Sequence, residues 1–253
     1  MVNDNIVNLA AEAGKIMLEN GGETYRVEQT INMICNAYSV KNTESFVSPT
    51  AIITSTNDDR GKSSTIIKRI TARSIDLQKV ALVNDLSRRV QVQALPLKEL
   101  SEEIDRIKDF PRYSRRVKNF FAGVNTSTFT LLFGGGINDF IVSFFVGILI
   151  NWMASVLAKL KVNDFFINIT GGCIAGFIGL LFAHINPGIF HEDKIIIGSI
   201  MLLVPGLVIT NAIRDIIAGD LISGLSRTLE AIVIAGAIAI GAALSFKIWM
   251  AIV

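Results

Sequence analysis

The chain has 253 residues, of which 51% are hydrophobic, and its 24 basic and 22 acidic side chains give a formal net charge of +2. This apolar content exceeds the roughly 45–50% of ordinary soluble domains and indicates a membrane protein. The small net charge, without basic blocks interleaved with aromatic residues, argues against a nucleic-acid-binding protein.

Charge is distributed unevenly along the chain. Residues 1–118 carry 18 of the basic and 15 of the acidic side chains, whereas the rest of the chain carries only 6 and 7. We therefore predict a cytoplasmic domain over residues 1–115 and a transmembrane domain over residues 116–253. The first residues lack the continuous apolar run of a signal peptide, so the N-terminus is expected to remain in the cytoplasm.

The front half is predicted to be a small α+β domain. Gly21–Gly22 is expected to end the first helix, because glycine adopts the left-handed conformation found at helix ends. Two β-rich runs, at 45–56 and 64–71, flank NDDRGKS, which is typical of a hairpin. Helical periodicity is seen at residues 5–20, 23–38, 76–94 and 97–109.

The back half is predicted to be a polytopic α-helical domain. A helix needs about 20 mostly apolar residues to cross a hydrocarbon core of roughly 30 Å. Lys and Arg are concentrated in the short loops expected to lie in the cytoplasm, which again places the N-terminus inside. About five transmembrane helices are predicted, near residues 119–137, 140–158, 165–185, 195–213 and 228–247.

The fourth apolar stretch contains Pro205–Gly206 near its middle. Proline removes a helix hydrogen bond and frees a carbonyl, and such breaks persist in lipid only where protein or water satisfies the exposed groups. Broken helices form ion and substrate sites in many secondary transporters. The pair is therefore interpreted either as part of such a site or as a simple packing kink.

Polar residues follow where this stretch ends. Thr210 and Arg214 share one helix face, and Asn211 and Asp215 share another, because residues four apart are neighbours on a helix. Ionisable residues in membrane segments are costly and often mark transport paths. Two interpretations stay open, namely the mouth of a transport pathway and a structural ion pair that ends the helix.

Two further pairs of opposite charge lie three residues apart. Arg227 and Glu230 are expected to pair with each other, and Glu230 is also a candidate proton carrier. Glu23 and Arg26 are expected to form an ion pair near a helix N-terminus. A regulatory or gating role for this second pair is the alternative.

The loops of the back half contain several ionisable residues. Asp139 follows three glycines, so a turn would explain it without a transport role. The loop from His184 through His191, Glu192 and Asp193 lacks recognised ligand spacing, so no metal site is predicted.

Enzymatic signatures are missing from the sequence. We find neither a G-x-S-x-G nucleophile motif nor a phosphate-binding loop. Cys35 and Cys173 fall in different environments, which argues against a disulfide or a thiolate metal site. We therefore predict no enzyme activity, no cofactor and no metal.

Several motifs in order along nearly the whole chain resemble the N-terminal half of the threonine/serine exporter family. They are GGETYRVEQTI (21–31), FVSPTAIITS (46–55), LQKVALVNDLSRRV (77–90), LLFGGGINDF (131–140) and GSIMLLVPGLVITNAIRDIIAGDLISGLSRTLEA (198–231). Some members of this family carry a second hydrophobic half, whereas others divide the two halves between proteins. The present sequence resembles the divided type.

This resemblance implies a subunit that exports threonine, serine or a succinate-like dicarboxylate, together with a smaller multi-span membrane subunit. Self-assembly or hetero-oligomerisation and contact with membrane lipid are expected as well. In the cytoplasmic domain the family motifs fall on Gly21, Glu23, Arg26 and Glu28. The candidate substrate or ion pathway comprises Pro205, Gly206, Thr210, Asn211, Arg214, Asp215, Asp220, Arg227 and Glu230.

Two hypotheses from different classes remain at this point. In the first, the chain is the larger subunit of a secondary exporter in the cytoplasmic membrane. In the second, it is a membrane-anchored sensory or scaffold protein whose cytoplasmic domain binds a ligand or partner.

Overall fold

The computed structural model describes residues 2–57 and 63–253, and these form two compact units. The first unit comprises the residues up to Arg112 together with Leu207–Leu229, and the second comprises Tyr113–Gly206 together with Glu230–Val253. Ten helices and three strands occur in the described residues. In chain order they are α1 (Val2–Glu19), α2 (Thr24–Ala37), β1 (Thr43–Ser48), β2 (Ala51–Asn57), β3 (Ser63–Arg69), α3 (Leu77–Val92), α4 (Leu97–Lys108), α5 (Arg115–Leu132), α6 (Ile137–Lys159), α7 (Asp164–Ile185), α8 (Glu192–Ile200), α9 (Gly206–Ala218) and α10 (Leu221–Ile252).

The core of the first unit is organised around α1. Apolar residues such as Ile6, Ala10 and Met17 recur at helical spacing, are buried, and pack against α2, α3, α4 and the sheet. Gly21 follows the helix with φ +99°, a conformation that costs glycine little. The predicted first helix and its glycine stop are therefore confirmed.

The sheet is an antiparallel meander in the order β1-β2-β3. The β-rich run at 45–56, predicted as one segment, is two strands, because Pro49 cannot donate to a strand ladder and the chain turns so that Ser48 pairs with Ala51. Strands β2 and β3 pair as far as Asn57 and Ser63. The predicted hairpin residues 58–62 lie outside the described residues.

Strand β2 alternates between a buried and an exposed side. Ile52, Thr54 and Thr56 are buried, whereas the residues between them point outward. Helices α3 and α4 confirm the two helices predicted after the sheet, and Tyr38 at the end of α2 donates a 2.7 Å hydrogen bond to the carbonyl of Leu95 between them. The α+β character of this part of the chain thus follows its sequence pattern.

Three helices in the described residues, α6, α7 and α10, are long and apolar enough to cross a membrane. The predicted count of about five is not confirmed. Helix α5 has 18 residues but begins with Arg115, Arg116 and Lys118. The stretch predicted as one helix near 195–213 contains α8 and α9, separated by residues 201–205, because Pro205 cannot continue the hydrogen-bond ladder.

Helices α5 and α6 of the second unit pack closely. A Cβ at Gly147 would lie 2.6 Å from the carbonyl oxygen of Ala122, so only glycine permits this approach. Thr126 donates a 2.7 Å hydrogen bond to the backbone oxygen of Ser143, and Thr130 donates another of 2.7 Å to the hydroxyl of Ser143. Small residues and hydroxyls of this kind replace the hydrophobic effect as the source of helix association in lipid.

We expect Gly147→Val to destabilise the second unit by about 1–3 kcal/mol, because the added atoms overpack the α5–α6 contact. Gly236→Val is the matched control, since a Cβ at Gly236 has no neighbour within 4 Å. Thermal unfolding of the purified protein in detergent, followed as loss of the monodisperse species, measures both. Equal melting temperatures for the two variants would contradict the packing argument.

Candidate functional site

Two carbonyl groups in the turn after α1 are bound by side chains from far along the chain. Asn211 donates from Nδ2 to the oxygen of Gly21 at 3.0 Å, and Arg227 donates from Nη2 to the oxygen of Gly22 at 3.1 Å. Both donors belong to the helical hairpin of residues 207–229, which consists of α9 and the beginning of α10. The 207–229 hairpin is therefore fastened to the GGET segment within the first unit.

Asp215 meets the N-terminus of α2. Its two carboxylate oxygens accept hydrogen bonds from the backbone N–H of Thr24 at 3.3 Å and from the Thr24 hydroxyl at 3.0 Å. Thr24 is the first residue of α2, where backbone N–H groups lack partners inside the helix and the helix dipole is positive. Asp215 thus supplies the negative charge that the start of α2 favours.

Arg227 completes the binding of Asp215. Its Nε lies 3.0 Å from Oδ2 of Asp215, and both side chains are buried. Two charges removed from water compensate each other here, with the Thr24 and Gly22 hydrogen bonds satisfying further donors and acceptors. Removing one partner of such a pair costs about 3–5 kcal/mol, because it leaves the other charge buried and uncompensated.

Glu23, immediately before α2, binds two arginines. Its Oε2 accepts a 2.7 Å hydrogen bond from Nε of Arg26, and its Oε1 accepts one from Arg214. The predicted Glu23–Arg26 ion pair is therefore confirmed. The Glu23 side chain is only 9% exposed, whereas those of Arg26 and Arg214 are 36% and 53% exposed, so both guanidinium groups reach solvent.

These two arginines line an open cavity of about 470 Å³, together with Tyr25, Ile217 and Ala218. We call this cavity the arginine groove. Arg26 also donates to the hydroxyl of Tyr25 at 3.3 Å and lies 5.8 Å from the centroid of its ring. Because two guanidinium groups share one carboxylate, the groove has one positive charge in excess and suits an anionic group.

The edge strand β1 is joined to the same hairpin. Glu28 accepts a 3.0 Å hydrogen bond from the N–H of Val47, and Ser223 donates a 3.3 Å hydrogen bond to the Val47 carbonyl. At Val47 the outer edge of β1 is thus hydrogen-bonded to side chains from both α2 and α10. Unpaired groups of an edge strand are satisfied locally in this way.

Three carboxylates of the first unit, those of Glu28, Asp215 and Asp220, influence one another electrostatically. Burial raises the pKa of Glu28, the hydrogen bond from Val47 opposes this, and the charges of Asp220 and Asp215 raise it further. Burial, with the charge of Asp215, also raises the pKa of Asp220. The charge of Asp215 therefore acts on both of the other acids. No group of three or more His, Cys, Asp or Glu residues suited to a metal ion occurs within residues 2–57 and 63–253.

The structure brings together most of the predicted site residues. Arg227 forms an ion pair with Asp215 in the first unit, and its pairing with Glu230 stays a prediction. Thr210 is exposed on α9, whereas Pro205, Gly206 and Glu230 belong to the second unit. We call the hydrogen bonds and ion pairs between the GGET segment and the 207–229 hairpin the network. The residues that form the network or adjoin it are Gly21, Glu23, Arg26, Glu28, Asn211, Arg214, Asp215, Asp220 and Arg227.

Two members of the network escape the sequence analysis. Thr24 is the first residue of α2, but its hydroxyl donates to Asp215, which lies 191 residues later and gives no local signal. Ser223 likewise has no local signal, because its partner, the carbonyl of Val47, lies 176 residues earlier.

Comparison with known proteins adds an independent finding. A family model described as "Putative threonine/serine exporter" matches residues 8–249. The chain is 25% identical over 248 residues to the "Probable succinate transporter subunit YjjP" of Klebsiella aerogenes, covering 96% of this chain and 94% of that protein. It is 24% identical over 254 residues to the "Threonine/serine exporter" of Corynebacterium glutamicum.

Coverage differs between these relatives. The match includes 96% of this chain in both, but it spans only 51% of the Corynebacterium exporter. The same-named succinate transporter subunit of Escherichia coli is 24% identical, with 94% of its length covered. No solved structure matches the chain.

Arg227→Met should lower the free energy of unfolding by about 3–5 kcal/mol, because Asp215 is then buried without its counter-charge. The double variant Arg227→Met with Asp215→Leu should recover part of this loss, since no isolated charge remains. Lys98→Met, at an exposed ion pair with Glu102, is the control and should change stability little. The measurement is unfolding in detergent, and a double variant no more stable than Arg227→Met would refute the pairing.

Glu28→Gln should raise the melting temperature at neutral pH. A carboxyl group whose pKa is raised by folding stabilises the fold below its ordinary pKa of 4.5, and this contribution is lost as the pH rises through the folded-state value. The amide oxygen of glutamine can still accept the Val47 hydrogen bond. Melting curves from about pH 4 to 8 should show the advantage of the variant disappearing at the acidic end; an advantage independent of pH would contradict this account.

Proposed function

The chain belongs to the threonine/serine exporter family, and on this premise we propose that it is a subunit of a secondary exporter in the cytoplasmic membrane. Its substrate is a small hydrophilic carboxylate, namely threonine, serine or a succinate-like dicarboxylate. The family is a transporter family and not an enzyme class. The observation that carries the proposal is the arginine groove beside Glu23.

The groove has the charge and the donors for a carboxylate. Arg214 donates to Glu23 through one terminal nitrogen and is half exposed, so the rest of its guanidinium group faces solvent. A guanidinium binds a carboxylate through two parallel hydrogen bonds, which gives both affinity and orientation. Threonine, serine and succinate each carry the carboxylate that such a site requires.

Substrate binding at the groove would alter the network behind it. A substrate carboxylate competes with Glu23 for Arg214. In α9, Arg214 directly precedes Asp215. Glu23 likewise directly precedes Thr24, which binds Asp215. Occupancy of the groove is therefore communicated to the start of α2 and to the 207–229 hairpin through adjacent residues. This connection supports a gating role for the network.

We also propose a topology with five membrane crossings and a cytoplasmic N-terminus. Helices α6, α7 and α10 supply three crossings. Helix α5 supplies a fourth, and the interrupted stretch near residues 195–213 supplies the fifth. The cytoplasmic side is assigned from basic residues at the start of α5 and around the end of α6, which include Arg115, Lys159 and Lys161.

A second membrane subunit is part of the proposal. The relatives in Klebsiella aerogenes and Escherichia coli are named as subunits of a succinate transporter, which supports a partner chain here. This partner would be a smaller multi-span protein that completes the transport path.

The decisive experiment is efflux of preloaded radiolabelled threonine, serine and succinate from cells that make this chain with and without the partner subunit. We expect efflux of one substrate class that requires both chains. Arg214→Gln should slow efflux by about 10- to 100-fold at low substrate, because a charge-assisted hydrogen bond is worth about 1.5–3 kcal/mol. Arg214→Lys should be intermediate, since lysine keeps the charge but loses the paired geometry.

Lys98→Gln is the matched control for this experiment, because Lys98 is the highly exposed member of a surface ion pair outside the groove. Membrane abundance is measured for every variant. Unchanged efflux when both subunits are deleted would end the exporter proposal. It would shift the interpretation to a membrane-anchored sensory protein.

A further inference from the structure

Asp139 is a fully buried carboxylate in the second unit. It is the third residue of α6, and its Oδ2 accepts a 2.8 Å hydrogen bond from the N–H of Gly136, which precedes the helix. Helix α6 is one of the helices apolar enough to cross a membrane. A buried ionisable group in such a helix is costly, so it requires a partner or a function.

The partner of Asp139 is His191, the residue before α8. The N–H of His191 donates to Oδ1 of Asp139 at 2.9 Å, and Nδ1 of its ring lies 3.0 Å from Oδ2. The carboxylate thus joins the starts of α6 and α8. Since the His191 side chain is 55% exposed, the ring connects a buried carboxylate with solvent.

A line of buried hydroxyl groups begins beside Asp139. A Cβ at Gly135 would contact both the carbonyl of Thr130 and the Cβ of Asp139, which shows that these two residues adjoin. Thr130 donates to the hydroxyl of Ser143, and Thr126 donates to the Ser143 backbone oxygen. At the other end of the same helix pair, Asn151 donates to Asn119 at 2.7 Å. We call this line the α5–α6 polar seam.

A separate observation concerns a buried hydroxyl in the α5–α6–α8 contact. The hydroxyl of Ser199 in α8 is fully buried and has no hydrogen-bond partner among the described residues. The neighbouring Gly198 packs directly on Thr130 of the seam. Buried hydroxyls ordinarily have a partner, so Ser199 adds an unused hydrogen-bonding group beside the seam.

We propose that Asp139 and His191 form a proton-binding site at one end of the α5–α6 polar seam, and that proton uptake there drives the export cycle. The inference rests on the proposed exporter function. His191 with a proton on Nδ1 gains a proton from solvent at Nε2. The ring becomes an imidazolium that donates from Nδ1 to Oδ2 of the ionised Asp139, so one external proton has been taken up and the pair is neutral overall.

This step alters the contact that holds two helices. A charged imidazolium is a stronger donor to a carboxylate than a neutral ring, so the hydrogen bond between His191 and Asp139 strengthens. The starts of α6 and α8 are then held together more firmly. The dyad formed by Asp139 and His191 therefore links protonation to the packing of the helices that border the polar seam.

Other charged groups around the dyad favour proton capture. Glu192 and Asp193 follow His191 in α8 and, with His184 of α7 and Trp249 of α10, line the same cavity of about 440 Å³. Lys194 pairs with Asp193 at 3.0 Å. The hydrogen bond from Lys194 lowers the pKa of Asp193, with a smaller contribution from His191. The facing segment of α5, residues 126–132, has no ionisable side chain.

The test is the pH profile of substrate efflux between about pH 5.5 and 8, the range in which histidine changes charge. Both subunits are reconstituted in liposomes, and wild type is compared with His191→Gln, Asp139→Asn and His184→Gln. We expect wild type and His184→Gln to change efflux by at least about fivefold across this range. Efflux by His191→Gln and Asp139→Asn should be independent of pH.

His191→Gln keeps the backbone N–H that binds Asp139, so it remains informative even if Asp139→Asn fails to reach the membrane. A profile in His191→Gln that keeps the wild-type shape, at whatever rate, would overturn the proton site while leaving the exporter function intact. No efflux by wild type at any pH would overturn the exporter function, and the role given to the dyad with it.

Discussion

The ion pair between Asp215 and Arg227 is the contact on which the first unit depends. Two charges buried in a protein interior are tolerated only when they are paired and their remaining hydrogen-bonding groups are satisfied. Here Thr24 donates to Asp215 and the Gly22 carbonyl accepts from Arg227, so the turn after α1, the start of α2 and the 207–229 hairpin must all be in position together. The left-handed Gly21 belongs to the same requirement, because it directs the Gly21 carbonyl to Asn211.

The second unit also contains a buried carboxylate, but its helices pack mainly through uncharged side chains. Its helices α5 and α6 associate through buried hydroxyls that bond to backbone oxygens, and only Asp139 brings a buried carboxylate to their junction. In both units a carboxylate lies at the beginning of a helix, with Asp215 at α2 and Asp139 at α6 and α8. Helix N-termini stabilise negative charge through their free N–H groups, so these are the positions where a buried acid costs least.

Local features of the sequence predict much of the fold and only part of the candidate site. Periodicity predicts α1 to α4, the glycines predict where α1 ends, and Pro205 marks the interruption between α8 and α9. The Glu23–Arg26 pair is also predicted, because its members are three residues apart. The pairing of Arg214 with Glu23 escapes prediction because it joins residues 191 positions apart, and the His191 contact with Asp139 joins residues 52 apart. Spacing on one helix carries no information about such partners.

The division of the first unit between two distant segments has a consequence for biosynthesis. Residues up to Arg112 are made first, but the unit also needs Leu207–Leu229, which the ribosome adds only after α5 to α8. In the structure the Thr24 N–H binds Asp215, 191 residues away, and the Gly22 carbonyl binds Arg227, 205 residues away. Until these partners are made, both backbone groups can bind only water. Contacts so distant in sequence form late in folding. The amino-terminal segment therefore emerges as an incomplete domain, which can be completed only after the intervening helices have been synthesised.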